Sequence, residues 1–253
     1  MKSVLFLWLI VSSLLGSTDD KVIRLAADEW CPHNCEEQSA HPGYMVELAT
    51  EAFKLYGYRV EYIVEKSWQE AIDKARNGEY NGVVGTAKSD VPDFIFPKTA
   101  LGIADNCYLA RADSSWRYNG IDSLSSKRLG VIVDYTYGDA LNQYIFNNQK
   151  DPRKIQFVSG NNAIKYSLTK VKQGKLDIYV DECRVINYAL MSRQDKGRFK
   201  VVGKMGDVDE LYIAFSPKGS NGENYSKILD NGIAKLKKLG RYHEILKSYG
   251  IGD

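Results

Sequence analysis

The chain has 253 residues, of which 44% are hydrophobic, and it carries 34 Lys and Arg against 32 Asp and Glu. This composition supports a substantial core and excludes a disordered chain. The nearly balanced charge gives no reason to expect a nucleic acid or an acidic membrane surface as a partner.

The first 19 residues have the features of a secretory signal peptide. Lys2 precedes an apolar run over 4–11, and the small residues Gly16 and Ser17 follow at the position for cleavage. The apolar run is short for a membrane span. We therefore expect a soluble protein exported to the periplasm, with an uncleaved anchor as the alternative.

The cysteines provide a second sign of export. Four are present, an even number, and they are Cys31, Cys35, Cys107 and Cys183. Two disulfides with three possible connectivities are the simplest account. Alternatively, Cys31, His33, Cys35 and His41 could ligate a metal, but their spacing matches no zinc signature. We therefore expect a local disulfide in this segment and no metal or other cofactor.

Strands and helices alternate in the first part of the mature chain. Predicted strands cover 22–28, 59–65 and 80–86, and predicted helices cover 43–58 and 67–79. Gly57 ends the first helix, and Ser67 with Glu70 three residues later is typical of a capped helix start. These elements predict a βαβαβ unit whose short apolar strands are covered on both faces.

A second set of the same kind follows. Predicted strands cover 127–133, 154–159, 176–181, 199–203 and 211–216, and predicted helices cover 137–146, 161–175, 182–194, 225–240 and 241–250. Asn161 or Asn162 is the candidate cap of the helix over 161–175. We expect two doubly wound, mostly parallel α/β halves. Ligands bind such sheets beyond the carboxyl ends of the strands, which points to the loops after residues 28, 66, 85, 134, 159 and 180.

Three segments, taken in order, resemble bacterial extracellular solute-binding proteins of family 3, the polar amino acid receptors of ABC transporters. "PGYMVELATEAFKLYGYRVEYI" is similar to a helix and strand of that family, and "SWQEAIDKARNGEYNGVVGT" to its segment that begins with Trp. "SLSSKRLGVIVDYTYGDAL" and "VKQGKLDIYVDE" are similar to a further pair of its motifs. The resemblance runs from about residue 22 to the end, and the ordered set carries it.

The resemblance implies a two-lobed periplasmic-binding-protein fold of type II, with a cleft that closes about a hinge. Two crossings are expected near 102–106 and 207–211. Lobe 1 would comprise 20–104 with 210–253, and lobe 2 would comprise 105–209. The implied partners are a small polar solute and a membrane permease, and the implied state is a monomer without enzymatic activity.

Candidate ligand residues follow from the same resemblance. Trp30 and Trp68 match aromatic positions that pack on the solute, although tryptophans also anchor helices to cores. In lobe 2, the turn with Tyr135, Thr136 and Tyr137 matches one whose backbone N–H groups receive a carboxylate. The alternative there is that Thr136 or Asp139 only caps the next helix.

Asp181 matches the acidic residue that binds an α-ammonium group in the family. Its alternative role is an N-cap for the helix over 182–194. The resemblance also implies that Cys107 pairs with Cys183 beside the cleft, with Cys31 and Cys35 as the second pair.

The loop after the third strand departs from the family. It contains the ligand candidates Gly85, Thr86 and Lys88, but it is shorter than in the family and lacks the Arg that clamps a carboxylate. Lys88 is its only cation, and a flexible ammonium group does not reproduce a planar guanidinium. An α-amino acid ligand is therefore doubtful, and Lys88 either contacts an acid or hydroxyl group or is solvated.

Two other functions compete with transport. Some relatives of this fold dehydrate cyclic acids, which requires a general acid, for which Glu182 is a candidate. A sensory module that presents its solute to a membrane kinase is the third possibility.

Overall fold

The computed structural model describes residues 21–160, 162–191 and 193–252. The predicted signal peptide, residues 1–19, and the candidate cap Asn161 lie outside the described residues. The strands are Lys21–Ala27 (β1), Tyr58–Val64 (β2), Gly82–Thr86 (β3), Gly102–Arg111 (β4), Leu129–Ile132 (β5), Ile155–Val158 (β6), Ile178–Glu182 (β7) and Phe199–Phe215 (β8). The α-helices are Tyr44–Lys54 (α1), Trp68–Arg76 (α2), Asp139–Asn148 (α3), Ala163–Lys172 (α4), Cys183–Met191 (α5), Gly222–Lys238 (α6) and Arg241–Ser248 (α7).

The strands form one sheet in the order β2-β1-β3-β8-β4-β7-β5-β6. At one end β1 pairs in parallel with β2 and β3, and at the other β5 pairs in parallel with β6 and β7. Between them, β8 and β4 are antiparallel to each other and to their outer neighbours. The predicted α/β fold, with two mostly parallel lobes and two crossing strands, is confirmed.

The crossing strands correct one prediction. The strands expected over 199–203 and 211–216 are a single strand, β8, which pairs with β4 from Gly102 opposite Leu211 to Arg111 opposite Phe199. The polar stretch between the two predicted strands lacks the apolar alternation of a strand, and we therefore expected a break. Pairing with β4 satisfies its backbone groups, so polar side chains are tolerated there.

Each lobe has apolar side chains on both faces of its part of the sheet. In the first lobe, α1, α6 and α7 cover one face and α2 the other, with Phe53 and Ile72 as examples of their buried residues. In the second lobe, α4 and α5 cover one face and α3 the other, with Leu168 and Leu141 buried. The lobes therefore have separate cores. No helix in the described residues has the length and apolar character needed to cross a membrane.

Helix starts follow the predicted capping in one case. Ser67 accepts a hydrogen bond from the Glu70 amide over 3.2 Å at the start of α2. Asn162 occupies the cap position of α4, but its side chain makes no capping hydrogen bond.

Both disulfides have the connectivity that the resemblance implied. The Cα atoms are 4.7 Å apart in Cys31–Cys35 and 5.0 Å apart in Cys107–Cys183, within the range that a disulfide spans. The first disulfide uses both thiols of the alternative metal set. The second ties β4 to the start of α5 beside the cleft.

Candidate functional site

A cavity lies between the two lobes, at the carboxyl ends of β1, β3 and β7. It encloses about 70 Å³, and because a water molecule needs roughly 10–15 Å³ by the same measure, on the order of five water-sized groups fit. The predicted ligand residues that line it are Trp30, Trp68, Gly85, Tyr135, Thr136, Tyr137 and Asp181. Polar lining residues that sequence reasoning missed are Asp28, Asn34, Asp90, Asn106 and Asp209.

Thr86 and Lys88 are the predicted ligand residues that the structure places away from the cavity. Thr86 follows Gly85 on β3 and is fully buried, and its hydroxyl donates to the Ala87 carbonyl over 3.1 Å. Lys88 is exposed, and its Nζ lies 4.7 Å from the ring centroid of Tyr212. The loop with the missing Arg therefore brings no cation to the cavity in this conformation.

Asp28 stands directly after β1 and faces the second lobe across the cleft. The Tyr135 hydroxyl donates to its Oδ2 over 2.7 Å. Burial raises the pKa of Asp28 to about 6, although the hydrogen bond from Tyr135 offsets part of this rise. Its position at the carboxyl end of a strand was the signal that could have identified it.

Asp181 occupies the corresponding position at the end of β7 and is only 1% exposed. Its Oδ1 accepts from the Trp30 indole N–H over 3.0 Å and from the Glu182 amide over 2.8 Å, and its Oδ2 accepts from the Tyr179 hydroxyl. Burial raises the pKa of Asp181 to about 6 against the effect of these donors. The predicted ammonium-binding residue thus lies at the cavity and contacts both lobes.

The alternative role of Asp181 as the cap of α5 is wrong, because Glu182 takes it. Glu182 Oε2 accepts from the amides of Arg184 and Val185 over 2.7 and 3.0 Å. The same carboxylate lies 3.1 Å from Nε2 of His33, which is fully buried. Burial lowers the pKa of His33, so a neutral ring donates to Glu182. Glu182, the candidate general acid, does not line the cavity.

Among the described residues, four hydrogen bonds between side chains join the two lobes. They connect Tyr135 to Asp28 over 2.7 Å, Trp30 to Asp181 over 3.0 Å, Thr136 to Asp90 over 2.6 Å and His33 to Glu182 over 3.1 Å. The described conformation is therefore closed.

The turn before α3 differs from the expected carboxylate site. The Tyr137 amide donates to the Asn142 side chain over 2.9 Å, and Asp139 places a negative charge in the first helical turn. The cap position is Gly138, without a side-chain capping bond, so neither Thr136 nor Asp139 acts as the cap.

Gly85 is required by the close approach of Asn34 and Trp30 from the neighbouring loop of the same lobe. Its φ is +84°, and a Cβ there would lie 2.8 Å from Asn34 Oδ1 and 3.5 Å from the Trp30 ring. The Asn34 amide nitrogen donates to the Asp28 carbonyl over 2.7 Å, whereas its oxygen has no hydrogen-bond partner among the described residues. Asn34 thus brings a buried acceptor to the cavity wall.

Comparisons with known proteins agree with this architecture. A scan of protein-family models found no match, and neither did a search of curated proteins. A structure from work on glutathione import through GshT and the cystine ABC importer of Streptococcus mutans matches with a TM-score of 0.76 at 19% identity, over 92% of this chain and 96% of that one.

Two further solved structures show the same likeness. A histidine kinase sensor domain similar to periplasmic binding proteins matches with a TM-score of 0.71 at 19% identity, over 91% of this chain and 96% of that one. An ancestral arginine-binding protein bound to arginine matches with a TM-score of 0.70 at 16% identity, over 90% and 97%. The chain therefore has the two-lobed fold of the periplasmic solute-binding proteins.

Proposed function

We propose that the protein captures a small polar solute in the interlobe cavity and delivers it to the permease of a membrane ABC transporter. The observation that carries the proposal is the composition of the cavity walls. Asp28 and Trp30 come from the first lobe, and Tyr135 and Asp181 come from the second. A solute that contacts both walls favours the closed state through its differential affinity for that state.

The hinge of this proposal is the β4-β8 pair. The proposed lobes are 20–104 with 210–253, and 105–209. Ala104 and Asp209 are direct partners in the register of these strands, so the proposed boundary crosses both strands at one level. The same proposal places the protein in the periplasm as a monomer.

Binding is proposed instead of catalysis because the described cavity lining has no lysine, arginine or histidine to hold the carboxylate of a cyclic acid, and because Glu182 lies elsewhere. The dehydratase alternative needs a general acid in contact with the substrate. Glu182 is buried, bonded to His33 and to the start of α5, and separated from the cavity.

A thermal-shift screen of amino acids, amines, small acids and sugars tests the binding function. A solute at 100 times its Kd stabilises the folded state by about 2.7 kcal/mol and raises the Tm. Asn106→Trp should abolish this shift, because Asn106 lines the cavity and an indole would fill it.

The matched control is Ile103→Trp on the same strand. Ile103 is exposed, and its side chain lies on the opposite side of β4 from those of Ala104 and Asn106. This variant should keep the shift. Turnover of a cyclic acid, with no solute that changes the Tm, would instead establish the enzymatic alternative.

A further inference from the structure

The charges at the cavity have one sign. Four aspartates line it, Asp28, Asp90, Asp181 and Asp209, and its described lining includes no lysine, arginine or histidine. Opposite charges attract each other, and like charges repel each other, most strongly where water is excluded. A carboxylate placed in this cavity would face this group of aspartates without a cation to balance it.

Four aromatic side chains also line the cavity. Trp30, Trp68, Tyr135 and Tyr137 all line it, and the rings of Trp30 and Tyr135 meet edge to face with centroids 6.2 Å apart. The negative face of an aromatic ring attracts cations, most strongly for tryptophan. Rings and carboxylates together are the surroundings that suit an ammonium group.

Asn34 provides an independent sign of the ligand's hydrogen-bonding character. Among the described residues, no donor lies in hydrogen-bonding distance and angle of its buried Oδ1. The nearby Tyr62 hydroxyl is buried and unpaired by the same distance and angle criteria, but it lies close enough for Asn34 to offset part of the rise in the pKa of Tyr62. A buried acceptor without a donor is costly. A solute with an N–H or O–H group would supply a donor for this acceptor at the cavity wall.

The groups that would hold a carboxylate are engaged elsewhere. The Tyr137 amide is bonded to Asn142, and Lys88 lies over the ring of Tyr212. An α-amino acid in this cavity would find partners for its ammonium group but none of these for its carboxylate.

We infer that the solute is a small organic cation, a primary or quaternary amine without a carboxylate. This inference rests on the proposed binding function. The limited volume favours solutes with few heavy atoms, such as ethanolamine, putrescine or choline.

Isothermal titration calorimetry on matched pairs tests the inference. Ethanolamine is compared with serine, putrescine with ornithine, and choline with glycine betaine, where each second member adds or contains a carboxylate. We expect the purified protein to bind at least one of the amines, and to bind it at least ten times more tightly than its partner. The uncharged choline isostere 3,3-dimethyl-1-butanol separates charge from shape and should bind at least ten times more weakly than choline if choline binds.

The possible failures are distinguishable. If a carboxylated member binds as tightly as its amine, or if only a sugar or an acid binds, the cation inference is wrong while the binding function stands. If no amine, amino acid, acid or sugar binds, both proposals fail.

Asp209→Asn provides a test on the protein side that avoids the buried core. Asp209 is exposed at the cavity, so its replacement should fold and weaken binding of the cation about three- to ten-fold. Asp122→Asn makes the same charge change at an exposed position in the short helix Ile121–Leu124, outside the cavity lining. It should leave the affinity unchanged. Equal effects of the two substitutions would overturn the role of cavity charge.

Discussion

Strand β7 has a carboxylate near each end, Asp177 and Asp181, and the surroundings of these two carboxylates differ. Asp177, just before the strand, faces the outer side of the second lobe, where Arg128 donates to both of its oxygens over 2.9 and 3.0 Å. This guanidinium lowers the pKa of Asp177. Asp181, near the other end, lies at the cavity, where burial raises its pKa to about 6.

The difference shows where the protein leaves charge without a counter-charge. On the outer side, Arg111 pairs with Asp113 and Arg128 with Asp177. In the cleft, the carboxylates accept hydrogen bonds from hydroxyl, indole and amide groups, which do not neutralise them. Buried charge without a counter-charge costs free energy, and functional sites are where such costs concentrate. The cleft is therefore the region suited to receive a cation.

Replacement of Glu182 should have the largest effect on stability. Glu182 is as buried as Asp181, but it is used by the fold itself through His33 and the amides of Arg184 and Val185. Glu182→Ala should lower the free energy of unfolding by about 3–5 kcal/mol, because buried donors lose their acceptor. Urea denaturation measures this loss.

The control for that substitution is Glu223→Ala on the exposed side of α6, which should change stability by less than about 0.5 kcal/mol. A loss of under about 1 kcal/mol for Glu182→Ala would show that Glu182 is not needed by the fold.

Asp28→Asn, in contrast to Glu182→Ala, should increase the free energy of unfolding. An amide oxygen can still accept from Tyr135, while the cost of burying charge disappears. Because Asp28 is half-buried, we expect a gain of about 1–2 kcal/mol in the ligand-free protein at pH 7.5. Denaturation in urea, compared between variant and wild type, measures the gain.

This gain should depend on pH. The raised pKa of Asp28 means that wild-type stability from this group is fully present below pH 3.8 and is lost as pH rises through about 6. The advantage of the variant should therefore shrink between pH 7.5 and pH 5. Glu29 and Tyr135 lie beside Asp28, and the lowered pKa of buried His33 changes stability with pH in the opposite direction. All three residues are present in both the variant and the wild type. A constant gap between pH 7.5 and pH 5 would contradict the raised pKa.

The sequence predicted the two-lobed fold and the strand ends where the cavity lies, because apolar periodicity locates strands and ligands bind at their carboxyl ends. Trp30 and Asp181 were predicted from the resemblance to family 3 solute-binding proteins. Asp28 was missed although it follows a strand end, because its role depends on how the lobes close, which brings Tyr135 to Asp28. That closure is a long-range contact with no local pattern in the sequence.

The remaining differences between prediction and structure concern pairs of adjacent residues. Gly85 lines the cavity whereas the adjacent Thr86 does not, because the Thr86 side chain is buried with its hydroxyl bonded to the Ala87 carbonyl. Glu182 caps α5 whereas Asp181 does not, although either acid suits a helix start. Residue type and approximate position in the sequence do not distinguish such neighbours.

The outer side of β7 should give the smallest effect. Arg128→Ala leaves Asp177 without its partner, but both side chains are more than a third exposed, at 38% and 36%. Water and salt screen such a pair, so we expect a loss of about 0.5–1 kcal/mol in urea denaturation and a further reduction of this loss in high salt. Solute affinity should stay unchanged, because Arg128 does not line the cleft. A loss above about 3 kcal/mol, or a change in affinity, would mean that the charges at the two ends of β7 are coupled rather than independent.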